Sequence, residues 1–145
     1  MSDSSSIAAK SPVPVDVALA FFRIGLACLM LRHGIPKLLE FGEHSATFPD
    51  PLGVGHATSL VLAIFGEVVC SALLIPGVLV RLTAIPFCIT MAVAFLVVHA
   101  DVAFGEKELA FLYLFGGITI LIGGGGRFSV DAWLIPKLRA RFSKS

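Results

Sequence analysis

The chain contains 145 residues, of which 57% are apolar and 14% are charged, and its formal net charge is +1. Ordinary soluble domains are about 45–50% apolar and about 25% charged, so this chain has too few charged side chains to cover a wetted surface. The composition argues against a soluble globular domain, a disordered chain and a nucleic-acid partner. It predicts one membrane-embedded domain in contact with the lipid bilayer.

Four apolar segments follow a polar N-terminal stretch. Residues 1–14 are predicted to form a flexible tail, residues 15–135 the transmembrane domain, and residues 136–145 a basic cytoplasmic tail. A helix crosses the hydrocarbon core with about 17–25 residues, and the fourth segment reaches this length only with interfacial residues at its ends. The predicted transmembrane helices are Val15–Leu39, Ala57–Ile75, Leu79–Ala100 and Glu108–Ile122.

The connections and the basic residues predict how these helices are arranged. The Pro76-Gly77 turn is too short for anything but an antiparallel neighbour, and Lys and Arg in short loops favour the cytoplasmic side. We therefore predict an all-α membrane protein, an antiparallel four-helix bundle with both termini in the cytoplasm. The residues assigned to the cytoplasmic side are Lys10, Arg81, Arg127, Lys137, Arg139, Arg141 and Lys144, against Lys37 and Lys107 on the outer side.

Ionisable residues inside the apolar segments are the main indication of function, because a charge near the bilayer centre costs at least about 2.5–3.5 kcal/mol. Glu67 lies about 15 Å into the second segment. No charged residue lies within one helical turn of it, so its partner must come from another helix. In the first segment, Arg23, His33 and Lys37 fall within an arc of about 80° that must face the bundle interior, whereas Arg32 points the opposite way.

Further ionisable residues lie near the outer ends of the helices. We expect them to converge with Glu67 on one polar pocket that opens toward the outside. The alternatives are a structural ion pair or a neutral glutamic acid for Glu67, and ordinary satisfied polar groups for the histidines. The residues expected near the pocket are His33, Lys37, His99 and Glu108, whereas Arg23 and Arg81 belong to the inner half.

Five stretches of sequence resemble the DoxX family of four-helix membrane proteins of prokaryotes. They are FFRIGLACLMLRHGIPKL, FGEVVCSALLIPGVLVRLTA, VVHA, KELAFLYLF and GGGGRFSVDAWL, and they span roughly residues 15–134. The resemblance implies an inner-membrane protein; some members are subunits of thiosulfate:quinone oxidoreductases, and others are associated with thiol, oxidative-stress, quinone or catechol detoxification enzymes. Arg32 departs from the family pattern, which commonly has an aromatic or apolar residue there. The positions that match the pattern are Arg23, His33, Lys37, Glu67, Arg81, His99, Glu108 and Asp131.

Three functions remain open at this point. The first is a quinone-binding subunit of a membrane oxidoreductase, in which histidine and lysine donate hydrogen bonds and glutamates relay protons. Because the chain has no evident electron carrier, such an enzyme would need a partner oxidoreductase subunit or a bound cofactor. The second is a proton-coupled small-molecule carrier, which would need paired chains and therefore a homo-oligomer. The third is a non-catalytic membrane anchor or assembly subunit.

The quinone hypothesis assigns roles to individual residues. No CxxCH, HExxH or zinc-type cysteine spacing supports a haem or metal ligand. The predicted catalytic residues are Glu67, His33, His99 and Glu108; the predicted cofactor-binding residues are Arg23, Lys37, Arg81 and Tyr113; and the predicted aromatic lining is Phe65, Phe95, Phe111, Tyr113 and Phe115.

Overall fold

A computed structural model of the protein describes residues 13–142. The predicted flexible tail therefore lies outside the described residues except for its last two, which begin the first helix. Over this range the chain is helical and forms no strand. The helices are α1 (Val13–Leu39), α2 (Phe41–His44), α3 (His56–Leu74), α4 (Val80–Val98), α5 (Phe104–Gly123) and α6 (Val130–Phe142).

The four long helices α1, α3, α4 and α5 pack in a ring. Each contacts the next one along the chain, and α5 returns to contact α1. Large apolar side chains such as Phe21, Leu82 and Ile122 remain on the outer surface, as expected of helices whose outer faces meet lipid. The buried core between the helices consists of Ala27, Met30, Cys70, Leu74, Val80, Ala84, Phe87, Met91, Tyr113 and Ile120.

Three of these helices, α1, α3 and α4, are long and apolar enough to cross a membrane. The prediction of membrane-spanning helices is thus confirmed for the first three segments. The fourth segment is also helical, since α5 has 20 residues. Its first two turns carry Glu106, Lys107 and Glu108. Because of these three charges, α5 is less apolar than the three helices that meet the criterion for crossing a membrane.

The turn between α3 and α4 is as short as predicted, and its geometry requires glycine. Gly77 has a φ of 78°, which a residue with a side chain rarely adopts. A Cβ atom at this position would also overlap the guanidinium group of Arg23. The turn is therefore built around a buried arginine side chain from α1.

Gly34 allows α1 to lie directly against α3. A Cβ atom at Gly34 would lie 2.6 Å from Val68 Cγ2 and 2.9 Å from Glu67 Cβ. Such distances are too short for carbon atoms in contact, so any side chain here would push the two helices apart. Gly25, on the same helix, has no neighbouring atom within 4 Å of the corresponding position.

We expect Gly34→Ala to lower the free energy of unfolding by about 1–3 kcal/mol, because it overpacks the contact between α1 and α3. Gly25→Ala is the matched control, and its better helix propensity is expected to leave stability unchanged or raise it by about 0.5–1 kcal/mol. Thermal unfolding of both variants in detergent measures the difference. Equal midpoints for the two variants would contradict this assignment of Gly34.

Candidate functional site

A buried ion pair joins α1 to α3. Lys37 Nζ lies 2.6 Å from Glu67 Oε1 and 2.7 Å from Oε2, so the ammonium group contacts both carboxylate oxygens. The side chain of Glu67 is only 6% exposed, whereas that of Lys37 is 30% exposed. Lys37 is therefore the partner from another helix that the sequence predicts for Glu67.

Glu67 lies in a π-helical segment, Phe65–Val69, that interrupts the α-helical hydrogen bonding of α3. Such a segment contains one extra residue per turn and rotates the side chains that follow it relative to a regular α-helix. π-helical turns occur frequently at functional sites. A second π-helical segment, Ala94–Val98, lies in α4.

His99 follows directly after this second π-helical segment. Its backbone N–H donates to the Ala94 carbonyl oxygen at 3.0 Å, and its ring Nδ1 lies 2.8 Å from the same oxygen. This pair of contacts orients the imidazole ring at the end of α4. The side chain is half-buried.

Lys37, Glu67 and His99 line one cavity of about 530 Å³. Cavities of about 300–1,000 Å³ are the usual size of small-molecule sites. This cavity lies between α3, α4 and the loop that precedes α3, and most of its wall is apolar. Its other polar side chains are Ser59 and Thr90, and its apolar wall includes Phe48, Leu52, Phe65, Pro86, Ile89 and Val93.

The loop before α3 covers the cavity and is held by Asp50. The Asp50 carboxylate accepts hydrogen bonds from Ser59 Oγ at 2.7 Å and from the backbone N–H groups of Val54 and Gly55 at 3.0 and 2.8 Å. These hydrogen bonds, that of Ser59 above all, lower the pKa of Asp50. The sequence analysis missed this residue, although an aspartate between two prolines, shortly before a helix, is a recognisable turn and capping pattern.

The same loop places an aromatic ring beside the ion pair. His56 Nδ1 lies 2.6 Å from the Phe48 carbonyl oxygen and holds the backbone of Phe48 in place. Lys37 Nζ is 5.9 Å from the centre of the Phe48 ring, a distance at which a cation is attracted to the ring face. The loop therefore contributes one wall of the cavity and one contact to the lysine.

Two of the predicted residues, Arg23 and Asp131, lie at the opposite end of the bundle. Arg23 is 1% exposed, and its guanidinium donates to the Leu74 carbonyl at 3.0 Å and the Phe128 carbonyl at 2.8 Å. The Asp131 carboxylate accepts from the first backbone N–H groups of α4, both at 2.7 Å. Since Arg23 precedes Lys37 by 14 positions on one helix, the two side chains are about 20 Å apart along its axis.

Arg81 also lies at this end of the bundle. It is exposed, and its guanidinium is 3.4 Å from the Ile122 carbonyl oxygen. Asp16, which the sequence analysis did not select, is 1% exposed and accepts from the backbone N–H of Arg127 at 3.1 Å. Arg23 and Arg81, both predicted to bind a cofactor, are thus placed away from the cavity and contact backbone carbonyls.

The remaining predicted residues do not line the cavity. The ring of His33 packs edge-on against that of Tyr113, with centroids 5.7 Å apart, and Tyr113 is 6% exposed in the core. Tyr113 is within electrostatic reach of Glu67. Glu108 is exposed near the start of α5. The structure therefore brings Lys37, Glu67 and His99 together and separates the other predicted residues from them.

Most of the residues in the predicted aromatic lining do not line this cavity. Among those residues, only Phe65 lines the cavity. Phe95, Phe111 and Phe115 pack with Phe104 along α4 and α5, with neighbouring ring centroids 5.4–6.5 Å apart. The reason is geometric, because the cavity opens on the α3 side of α4, whereas these rings lie on its α5 side. Within residues 13–142, no three His, Cys, Asp or Glu side chains are grouped to hold a metal ion.

Comparison with known proteins gives one family and one relative. The model of the DoxX family matches residues 18–100, a range that includes Lys37, Glu67 and His99. A protein of Haemophilus influenzae described as an uncharacterized protein is 32% identical over 126 residues, which cover 78% of this chain and 87% of the relative. No solved structure matches the chain.

We expect a strong energetic coupling between Lys37 and Glu67. Lys37→Met or Glu67→Leu alone leaves one charge unpaired and is expected to cost about 3 kcal/mol, the lower end of the range for buried pairs because Lys37 is partly exposed. The double variant is expected to cost less than the sum by roughly 1–3 kcal/mol. The unfolding free energies of the unmodified chain, the two single variants and the double variant, all measured in detergent, give this coupling energy.

The exposed pair of Glu40 and His44, 3.2 Å apart and one turn from each other on the chain, supplies the control for this cycle. Substituting both residues by alanine is expected to show a coupling of only about 0.2–0.5 kcal/mol. A coupling as small as this between Lys37 and Glu67 would contradict the buried ion pair.

The lowered pKa of Asp50 makes the loop sensitive to acid. A lowered folded-state pKa means that folding favours the ionised carboxylate, so the stabilisation is complete above the unfolded value of about 3.9 and is lost as the pH falls through the folded pKa. Hydrogen exchange at the Val54 and Gly55 amides is expected to accelerate in that acidic range, relative to the intrinsic rate. Asp50→Asn is expected to remove this pH dependence, and identical pH profiles of protection in Asp50→Asn and the unmodified chain would refute the assignment.

Proposed function

The chain belongs to the DoxX family of membrane proteins, and from this premise we propose that it is an integral membrane subunit of a redox system. We infer that it binds a quinone or a similar small apolar redox molecule in the cavity between α3 and α4. The observation that supports this is the combination of a buried ion pair, Lys37 with Glu67, and an oriented imidazole, His99, on the wall of one mostly apolar cavity.

In the proposed membrane arrangement, α1, α3, α4 and α5 cross the inner membrane of a prokaryotic cell as an antiparallel bundle. Both termini lie in the cytoplasm, where Lys137 of the C-terminal helix faces the anionic inner leaflet. The charged residues at the start of α5 then lie at the outer interface, which allows this helix to span with its apolar remainder. In this arrangement the cavity and its covering loop belong to the outer half of the bundle.

The side chains of the cavity suit a flat ring with polar oxygens. Apolar groups from α3, α4 and the loop enclose the ring, while Lys37 directs a positive charge at one end of the cavity. His99 and Glu67 are the groups that can accept or supply protons beside it. A bound quinone would supply the electron-transfer chemistry, and a partner oxidoreductase is proposed as the electron donor or acceptor.

A binding experiment tests this proposal. The protein purified in mild detergent is dialysed to equilibrium against a short-chain benzoquinone, and bound quinone is measured after extraction. Lys37→Met and Glu67→Gln are expected to lower the affinity roughly tenfold or more, because the first removes the cation that can donate to a carbonyl oxygen of the ring and the second removes the charge that holds this cation at the cavity wall.

Glu106→Gln and His44→Ala are the matched controls, since Glu106 is exposed, the His44 side chain is 44% exposed, and neither residue lines the cavity. They are expected to bind as the unmodified chain does. Quinone binding that is absent, or equal in all five proteins, would overturn the proposal. Proton-coupled uptake of a small molecule into vesicles, without quinone binding, would favour the carrier instead.

A further inference from the structure

The hydroxyl groups on the cavity wall use their protons within the protein. Thr90 Oγ1 donates to the Pro86 carbonyl oxygen at 2.9 Å, and Ser59 Oγ donates to Asp50 Oδ1 at 2.7 Å. A hydroxyl group has one proton and two lone pairs. Thr90 and Ser59 therefore offer a ligand only acceptor capacity.

His99 likewise offers a ligand a hydrogen-bond acceptor. A carbonyl oxygen can only accept, so the contact of 2.8 Å between Nδ1 and the Ala94 oxygen requires the proton on Nδ1. In the neutral ring, Nε2 is then an acceptor. It is the ring nitrogen left for a ligand, because the π-helical segment before His99 brings the Ala94 carbonyl to Nδ1.

The ion pair leaves one donor. Lys37 Nζ contacts both oxygens of Glu67, which engages two of its three ammonium protons. The polar side chains on the cavity wall thus offer a ligand the third Lys37 proton as donor, against acceptors on Ser59, Thr90 and His99 and the remaining lone pairs of the Glu67 carboxylate.

From this imbalance we propose that the cavity selects rings that carry free hydroxyl groups over rings whose oxygens are all carbonyls or ethers. The inference rests on the proposed function and specifies its ligand, since it assigns the site a preference for the reduced, hydroxylated form of a redox ring. A hydroxylated ring can donate to His99 Nε2 and to Thr90 Oγ1. A ring that only accepts would leave these acceptors unpaired where it shields them from water in the partly enclosed site, which is unfavourable.

The test uses two probes that share one carbon skeleton and do not depend on electron transfer, namely 4-hexylresorcinol, whose ring oxygens carry protons, and its dimethyl ether, whose ring oxygens carry methyl groups. Equilibrium dialysis at about pH 8, where an ordinary imidazole is neutral, gives the Kd of each. The measured quantity is the ratio of the ether Kd to the diol Kd, compared between proteins in the same detergent so that partitioning into micelles cancels.

The ratio is expected to be highest in the unmodified chain and to fall roughly tenfold in His99→Leu. Thr90→Val, which keeps the shape of the side chain, is expected to lower the ratio several-fold. The ratio is expected to stay unchanged in His44→Leu, because the His44 side chain is 44% exposed and lies outside the cavity. Thr90→Val keeps the test informative if His99→Leu does not fold.

A ratio that is equal in the unmodified chain, His99→Leu and Thr90→Val would overturn this inference. If benzoquinone still binds in a manner that depends on Glu67, the proposed function then stands without the preference for hydroxyl groups. If neither the probes nor benzoquinone bind the folded protein, both proposals fail.

Discussion

The contact between Lys37 and Glu67 is the constraint on which the rest of the structure depends. A carboxylate that is 6% exposed between apolar helices is unfavourable unless a cation meets it. Because the cation belongs to α1 and the carboxylate to α3, the two helices can satisfy both charges in only one register. Gly34, one turn before Lys37, removes the side chain that would keep the helices apart. Packing and charge therefore support the same arrangement.

The two ends of the bundle use similar residue types for different purposes. At one end, Arg23 and Asp131 satisfy the backbone groups that helices leave unpaired at their termini, carbonyls at the end of α3 and amides at the start of α4. Their hydrogen bonds hold the turn and α6 against the bundle. At the other end, Lys37, Glu67 and His99 border the partly enclosed cavity between α3 and α4.

Local departures from regular helix place the residues of the cavity. Glu67 lies in one π-helical segment and His99 follows another. Each segment shifts the face of the side chains that come after it, so a projection at 100° per residue does not predict their neighbours. The expected grouping of His33 with Glu67 and His99 rested on their similar depths along the helices, and depth does not fix which neighbour a side chain faces. In the ring of helices, α1 meets α3 on one side and α5 on the other, and His33 faces Tyr113 of α5.

The sequence by itself determined that this is a helical membrane protein, where its first three spanning helices lie, and that Glu67 needs a partner from another helix. Each of these follows from what one segment requires of its surroundings, an apolar length to match the bilayer and a countercharge for a buried carboxylate. The tertiary structure decided that the partner is Lys37, that Arg23 contacts backbone carbonyls, and that Asp50 organises the loop over the cavity. Those outcomes depend on which side chains of other segments come within hydrogen-bonding distance. Hydropathy and spacing along one chain do not contain that information.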